Sequence, residues 1–255
     1  MDWIKDKVAI VTGGASGIGR AIAIEAGKLG AWVVVVDIND AQGRKTANTI
    51  IENGGSALYC HTDVTSSSSI ERMVIEAEQF GPIKYLANSA GLQTYGTAET
   101  TSEETWDETM DVNLKSIFLV SQQVIPQIRR NQGGGIVNLS SLQGLRCQKN
   151  VLAYATSKAA AIGLTRAMGV DYAQDGISVN CICPGSIDTP MLRYGAGEHG
   201  DADEVIREWG KHHPIGRIGT PQEIAKVTLF LWSPESSFMV GQPVVVDGGL
   251  GSVIL

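Results

Sequence analysis

The run Lys7-Val-Ala-Ile-Val-Thr12 passes directly into Gly13-Gly-Ala-Ser-Gly-Ile-Gly19, and a helical pattern then continues to Leu29. A β-prone run, a glycine turn and a helix in succession make a strand–turn–helix unit. Glycines at 13, 17 and 19, with Ser16 and Ile18 between them, let the backbone turn sharply and come close to a pyrophosphate. The first turn of the helix offers that anion unbonded N–H groups and the positive end of a dipole. The spacing is GxxxGxG rather than the general GxGxxG, and a glycine turn alone serves equally well as a plain connector.

Outward from the turn the chain alternates. Residues 31–37 read as a second strand, whose Val33-Val-Val-Val36 core suits a sheet covered on both faces. Helices are predicted at 40–53, 66–80, 102–130, 151–174 and 221–232, and further strands at 57–61, 83–88, 135–140, 177–183 and 243–246. Pro126 should kink or end the long segment 102–130. Thr220 is placed to cap the last helix, with Pro221 at its first position. Strands separated by single helices need crossover connections. The pattern therefore predicts one α/β domain over 1–255: a doubly wound, seven-stranded parallel sheet with helices on both faces. Ligands of such sheets bind beyond the carboxyl ends of the strands.

Composition narrows the function classes. The 255 residues are 43% hydrophobic and 18% charged, enough for a buried core and too apolar for disorder. The 30 glycines follow no Gly-x-y period, so they mark turns and close approaches rather than collagen. A net charge of −7 with no Lys/Arg block argues against nucleic acid and anionic membranes as partners. The apolar runs are too short to span a bilayer, and the N-terminus carries no signal-peptide pattern, so a cytoplasmic location is expected. Cys60, Cys147, Cys181 and Cys183 show no CxxC or zinc spacing and read as buried small hydrophobes; no metal site is expected. His212 and His213 point apart on any regular element and read as solvated loop residues.

Two residues at strand ends carry charge chemistry. Asp37 closes the second strand 18 residues after Gly19, near the distance expected of an acid that binds the adenosine ribose. Its carboxylate accepts from ribose hydroxyls and repels a 2′-phosphate, and Ser16 and Ile38 supply no cation to offset that repulsion. NAD is thus expected rather than NADP; a plain helix cap near Asp40 is the other reading. Further on, Tyr154 and Lys158 stand at i and i+4 on one helix face. A lysine ammonium favours tyrosinate and lowers the pKa of a phenol that is otherwise a poor base at neutral pH. Ser141 ends the fifth strand thirteen residues earlier, where its hydroxyl is able to hold a substrate C–O group. Alone, such a Tyr/Lys pair reads equally as a surface feature.

Taken together, Gly13–Gly19, Asp63-Val64, Asn88-Ser-Ala-Gly91, Asn113, Ser141, Tyr154, Lys158 and Pro184-Gly185 resemble the short-chain dehydrogenase/reductase pattern, in its order and across nearly the whole chain. Ser89 stands where the family more often has a second Asn. The resemblance implies a one-domain Rossmann fold, hydride transfer at a secondary alcohol or ketone, and a homotetramer. It also implies roles: Tyr154 as general acid/base, Lys158 on the nicotinamide ribose, Ser141 orienting the alcohol, and Asn113 holding a water that relays protons from Lys158. Asp63 and Val64 would contact the adenine, Asn88 and Gly91 a ribose, and Ile187 and Thr189 the nicotinamide amide or the phosphates. Ala90, Pro184 and Gly185 complete the cofactor set.

Residues 188–219 are the least regular stretch and read as a glycine-punctuated, mobile substrate lid. Arg193, Tyr194, His199, Trp209, His212 and His213 are its candidate contacts; Gln93, Leu142, Gln143, Gln148 and Asn150 are expected to face the substrate from elsewhere. A lining of amides and a Trp suits a sugar or polyol, with amides bonding hydroxyls and the indole stacking on a sugar face. The alternatives are a 3-oxoacyl-thioester reductase, an NAD-binding regulator without turnover, and a purely structural oligomer. Ala153, Ala155, Ala159, Ala160, Ala161 and Gly163 put small residues on more than one face of their helix, which suits packing against a second chain.

Overall fold

The computed structural model describes residues 2–198 and 200–253; His199, a candidate lid contact, lies outside the described residues. Seven strands form one parallel sheet: β1 (Val8–Thr12), β2 (Trp32–Asp37), β3 (Ser56–His61), β4 (Ile83–Asn88), β5 (Gly134–Leu139), β6 (Ile177–Pro184) and β7 (Pro243–Val246). Their order is β3-β2-β1-β4-β5-β6-β7, with every pairing parallel. The chain leaves β1 toward β2 on one side and returns to β4 on the other. A crevice therefore opens above the carboxyl ends of β1 and β4, the switch point where such folds bind ligands.

The valine run shows why both faces are covered. Val33 and Val35 pack with Ala9 and Val11 of β1 under α1 (Gly17–Lys28), α2 (Asp40–Glu52) and α9 (Pro221–Trp232). Val34 and Val36 pack with Val8 and Ile10 under α3 (Ser67–Phe80), α5 (Ser116–Arg130) and α6 (Leu152–Tyr172). Successive residues of a strand point to opposite faces, so four consecutive valines fill two cores. Each is completely buried, which stabilises the fold by roughly 1.5–3 kcal/mol per side chain.

Two expectations need correction. Pro126 does not end its helix: α5 continues to Arg130. The proline is exposed while Val124, Ile125 and Ile128 are buried; burying that stripe outweighs the roughly 3 kcal/mol a helical proline costs. The irregularity lies earlier, where α4 (Glu103–Met110) joins α5 through a π-helical turn, Asp111–Lys115, centred on Asn113. The stretch 188–219 is also more regular than expected, with helices α7 (Pro190–Gly197) and α8 (Ala202–Lys211). Thr189 caps α7 by accepting from Leu192 N, and Asp201 caps α8 by accepting from Glu204 N. Last, Thr220 and Glu223 close α9 with a reciprocal capping box, Pro221 following the cap.

Candidate active site

A cavity of about 430 Å³ occupies the crevice. Gly13, Ser16, Gly17, Ile18 and Gly19 line one end together with Asp37, Ile38, Asp63 and Val64; Ala90, Gly91, Tyr154, Lys158 and Thr189 continue the wall. The glycine turn has no room for side chains. Gly13 and Gly17 have φ of +66° and +52°, and a β-carbon at Gly19 would lie 2.2 Å from the Gly13 carbonyl oxygen. Helix α1 starts there with no side-chain cap from Ser16 and no acidic residue in its first turn. Its leading N–H groups are thus left for an anion, the donor set a dinucleotide pyrophosphate requires. Thr12, which sequence reasoning passed over, ties this turn to the next crossover: its hydroxyl oxygen accepts from Ser89 N at 3.0 Å and Ala90 N at 3.1 Å.

Asp37 is held from two sides. Oδ2 accepts from Ala15 N at 3.0 Å, within the glycine turn, and Oδ1 accepts from Asn39 N at 3.0 Å. The cap of α2 is Asn39, which accepts from Gln42 N, so Asp37 is not the helix cap. Asp63 accepts from both Thr65 N and Thr65 Oγ1, fixing the neighbouring wall.

The other end is built from buried polar groups. Tyr154 and Lys158 project from the first turns of α6, only 9% and 6% exposed. Lys158 Nζ donates to Leu139 O at 2.9 Å and lies 5.6 Å from the Tyr154 ring centroid. Burial pushes the Lys158 ammonium down to about 8. Burial also raises the Tyr154 phenol, and the Ser141 hydroxyl beside it only partly opposes this. In the chain without a cofactor, burial sets the direction for Tyr154. Ser141 Oγ accepts from Gln143 N at 3.1 Å, so its own proton remains to be donated toward Tyr154 or a substrate oxygen.

Several expected residues sit behind the wall rather than on it. The Asn113 amide is fully buried and clamps the strand-end segment: Oδ1 accepts from Leu92 N at 2.8 Å, and Nδ2 donates to Leu92 O and Ser157 Oγ. A β-carbon on Gly91 would lie 3.2 Å from Asn113 Oδ1 and 3.4 Å from Lys158 Nζ. With both amide hydrogens used, the Asn113 side chain positions residues 91 and 92. Asn88 likewise turns into the core, its Nδ2 donating to Asn138 Oδ1 and Ser121 Oγ, rather than toward a ribose. Pro184, Gly185 and Ile187 do not line the cavity. Ile187 is buried and bridges to Gly219, and Gly185 N donates to Val246 O.

The expected substrate side is not assembled as read. None of Gln93, Gln143, Gln148 and Trp209 lines the cavity; Gln148 and Asn150 are exposed, and Trp209 is half-buried on α8. The Gln143 Oε1 atom is buried with no donor among the described residues. Arg193 is occupied by Asp188, at 2.6 and 2.9 Å, and by Asp203 at 2.9 Å. His212 is exposed, but His213 is buried, its ring bonded to Trp209 O and accepting from Ser186 N. Cys147 is exposed, unlike the other three cysteines. Tyr95 is a residue sequence reading missed: its hydroxyl occupies the space a side chain at Gly195 of α7 would need, 2.4 Å from a β-carbon built there.

The family model described as enoyl-(acyl carrier protein) reductase matches residues 13–251. An uncharacterized oxidoreductase of Thermotoga maritima is 38% identical over 248 residues, 97% of this chain and 98% of that protein. The 3-oxoacyl-[acyl-carrier-protein] reductase of Chlamydia muridarum is 38% identical over 247 residues, 96% of this chain and 97% of that one. Among solved structures, the ligand-free aldohexose dehydrogenase of Thermoplasma acidophilum matches with a TM-score of 0.89 and 38% identity, covering 98% of this chain and 96% of that one. A seven-stranded parallel sheet, a glycine cradle at its switch point and relatives matched from end to end lead to one conclusion: the chain is an oxidoreductase of the short-chain dehydrogenase/reductase family.

Proposed function

We propose that the chain is an NAD-linked dehydrogenase acting on a secondary alcohol of the sugar or polyol class, with Tyr154 as general acid/base. The observation that carries this reading is a single cavity with Asp37 at one end and Tyr154 and Lys158 at the other. Bound NAD supplies the hydride acceptor at the reacting carbon; the chain supplies position and the proton path. Ser141 holds the substrate oxygen by donating its remaining proton. Tyr154 Oη exchanges a proton with that oxygen. Its raised phenol is already in the acid form that ketone reduction needs, and the Lys158 ammonium favours the base form that alcohol oxidation needs. Lys158, anchored on Leu139 O, has two further protons to donate to a ribose hydroxyl.

Asp37 supports NAD over NADP, since its fixed carboxylate meets a 2′-phosphate with like charge. Likeness to an aldohexose dehydrogenase supports the sugar class, while the Chlamydia relative supports a 3-oxoacyl-thioester substrate. Absorbance of the reduced nicotinamide, read with NAD and NADP across sugars, polyols, hydroxy acids and acyl-thioester ketones, separates them. Turnover with NAD on a sugar is expected; activity confined to thioester ketones with NADPH overturns both choices. Asp37→Ala should shift the NAD/NADP preference toward NADP by about tenfold or more.

A homotetramer is part of the same proposal. Exposed Phe118 and Val170 on the two long helices, and Phe238 and Val245 beside β7 at the sheet edge, suit contacts with further copies. Light scattering that finds a monomer contradicts it. A cytoplasmic setting fits Cys60, Cys181 and Cys183, which are buried free thiols.

A further inference from the structure

We infer that Tyr59 is a positioning residue for cofactor choice, acting on the cofactor through Asp37. This rests on the proposal that Asp37 meets the adenosine ribose.

Tyr59 lies on β3, one strand away from Asp37, and its hydroxyl reaches across to the β2–α2 turn. It donates to one of two acceptors, the Asp37 carbonyl oxygen at 3.0 Å or Asp40 Oδ1 at 2.8 Å. The same Asp40 oxygen is 2.8 Å from His61 Nδ1. The ring itself is boxed in. On one side Gly43 of α2 leaves it space, since a β-carbon there would lie 2.1 Å from Tyr59 Cε2. The Arg44 guanidinium packs against the ring, 5.3 Å from its centroid. The turn that presents Asp37 is thus fastened at four points: Ala15 N and Asn39 N on the carboxylate, and Thr62 N and Tyr59 Oη at the Asp37 carbonyl oxygen.

The first two fastenings use the carboxylate itself. The other two leave the carboxylate free, and of these only the Tyr59 contact is made by a side chain, so it is the one that ties the turn to the β3 ring when a ribose competes for the carboxylate oxygens. A side chain half a turn out of place loses bidentate contact with two ribose hydroxyls, and also loses some of its repulsion toward a 2′-phosphate. Removing the Tyr59 hydroxyl should therefore weaken NADH and spare NADPH, without touching the catalytic end.

The test is a double-mutant cycle read by NADH and NADPH binding fluorescence. Tyr59→Phe should raise the NADH Kd about fivefold, the scale of one hydrogen bond, and leave the NADPH Kd unchanged or lower. At saturating NAD, kcat should be unchanged. In an Asp37→Ala background, Tyr59→Phe should have no further effect, because no carboxylate remains to be placed. Gly43→Ala, which displaces the ring from the other side, should reproduce the Tyr59→Phe selectivity. Equal weakening of both cofactors, no change in either, or the same loss in the Asp37→Ala background overturns the inference. A wild-type protein that binds NADPH more tightly overturns the NAD reading instead, and the cycle still reports whether Tyr59 and Asp37 are coupled.

Discussion

The two walls of the crevice are held by different physics. At the catalytic end Ser141, Tyr154, Lys158 and Asn113 are at most 9% exposed, and the side chains of Ser141, Lys158 and Asn113 are bonded to backbone groups inside the core. On the lid side, α7, α8 and the loop before them are joined by Arg193, whose partners Asp188 and Asp203 have side chains 38% and 76% exposed. A buried hydrogen bond left unmade costs a few kcal/mol, whereas an exposed ion pair contributes at most about 1 kcal/mol. Geometry at the reacting atoms is therefore set by the fold itself. Helices α7 and α8 are joined by exposed ion pairs that hold them weakly.

The largest expected effect lies at the catalytic end. Lys158→Met should lower kcat by about a hundredfold or more, while changing stability in a pH-dependent way. Burial depresses Lys158 from 10.5 to about 8. Between these values the unfolded chain binds the extra proton, so wild-type stability should rise as pH goes from 8 to 10.5. The buried ammonium costs about 3 kcal/mol below that window. Urea midpoints measured across it should show the rise in wild type and none in Lys158→Met; parallel curves would remove the buried charge from the account. A smaller effect is expected of Asn113→Leu, which strands Leu92 N, Leu92 O and Ser157 Oγ. Unfolding free energy should fall by roughly 2–4 kcal/mol, and a fall under 1 kcal/mol would mean that the clamp is not what holds residue 92. Smallest is Arg193→Ala. Stability should change by less than about 1 kcal/mol, kcat should stay within about twofold, and substrate KM should rise a few-fold, an effect that added salt reproduces in wild type. A large fall in kcat instead would show that the lid shares in the chemistry.

The same contrast governs what was legible in the sequence. Strand–turn–helix signals and the valine run depend on local pattern, and the seven-stranded parallel sheet, its two covered faces and the glycine turn came out as read. Sites that depend on partners far along the chain did not. Asn88 and Asn113 carry the right residue types for a binding site, and each side chain is bonded to core partners 21 to 50 residues away, which spacing cannot reveal. Tyr59 acts across a strand pairing, Val35 with Tyr59 and Asp37 with His61, that has no local signature. The lid is a different failure. Thr189-Pro190 has the same cap-and-proline form as Thr220-Pro221, and both start helices. The glycines at 195, 197 and 200 obscured the first signal, while the apolar run after Pro221 reinforced the second. His213 was misread for a related reason: adjacency to His212 suggested a solvated pair, but the fold turns one ring inward to Trp209 O and Ser186 N.

The central claim is that buried Tyr154 carries the proton while NAD takes the hydride. Its most direct test compares wild type and Tyr154→Phe by reduced-nicotinamide absorbance, with NAD and a turned-over sugar, alongside NADH binding by fluorescence. The expected result is a kcat lower by about two to four orders of magnitude with an NADH Kd within about twofold of wild type. Unchanged turnover in Tyr154→Phe would contradict the account.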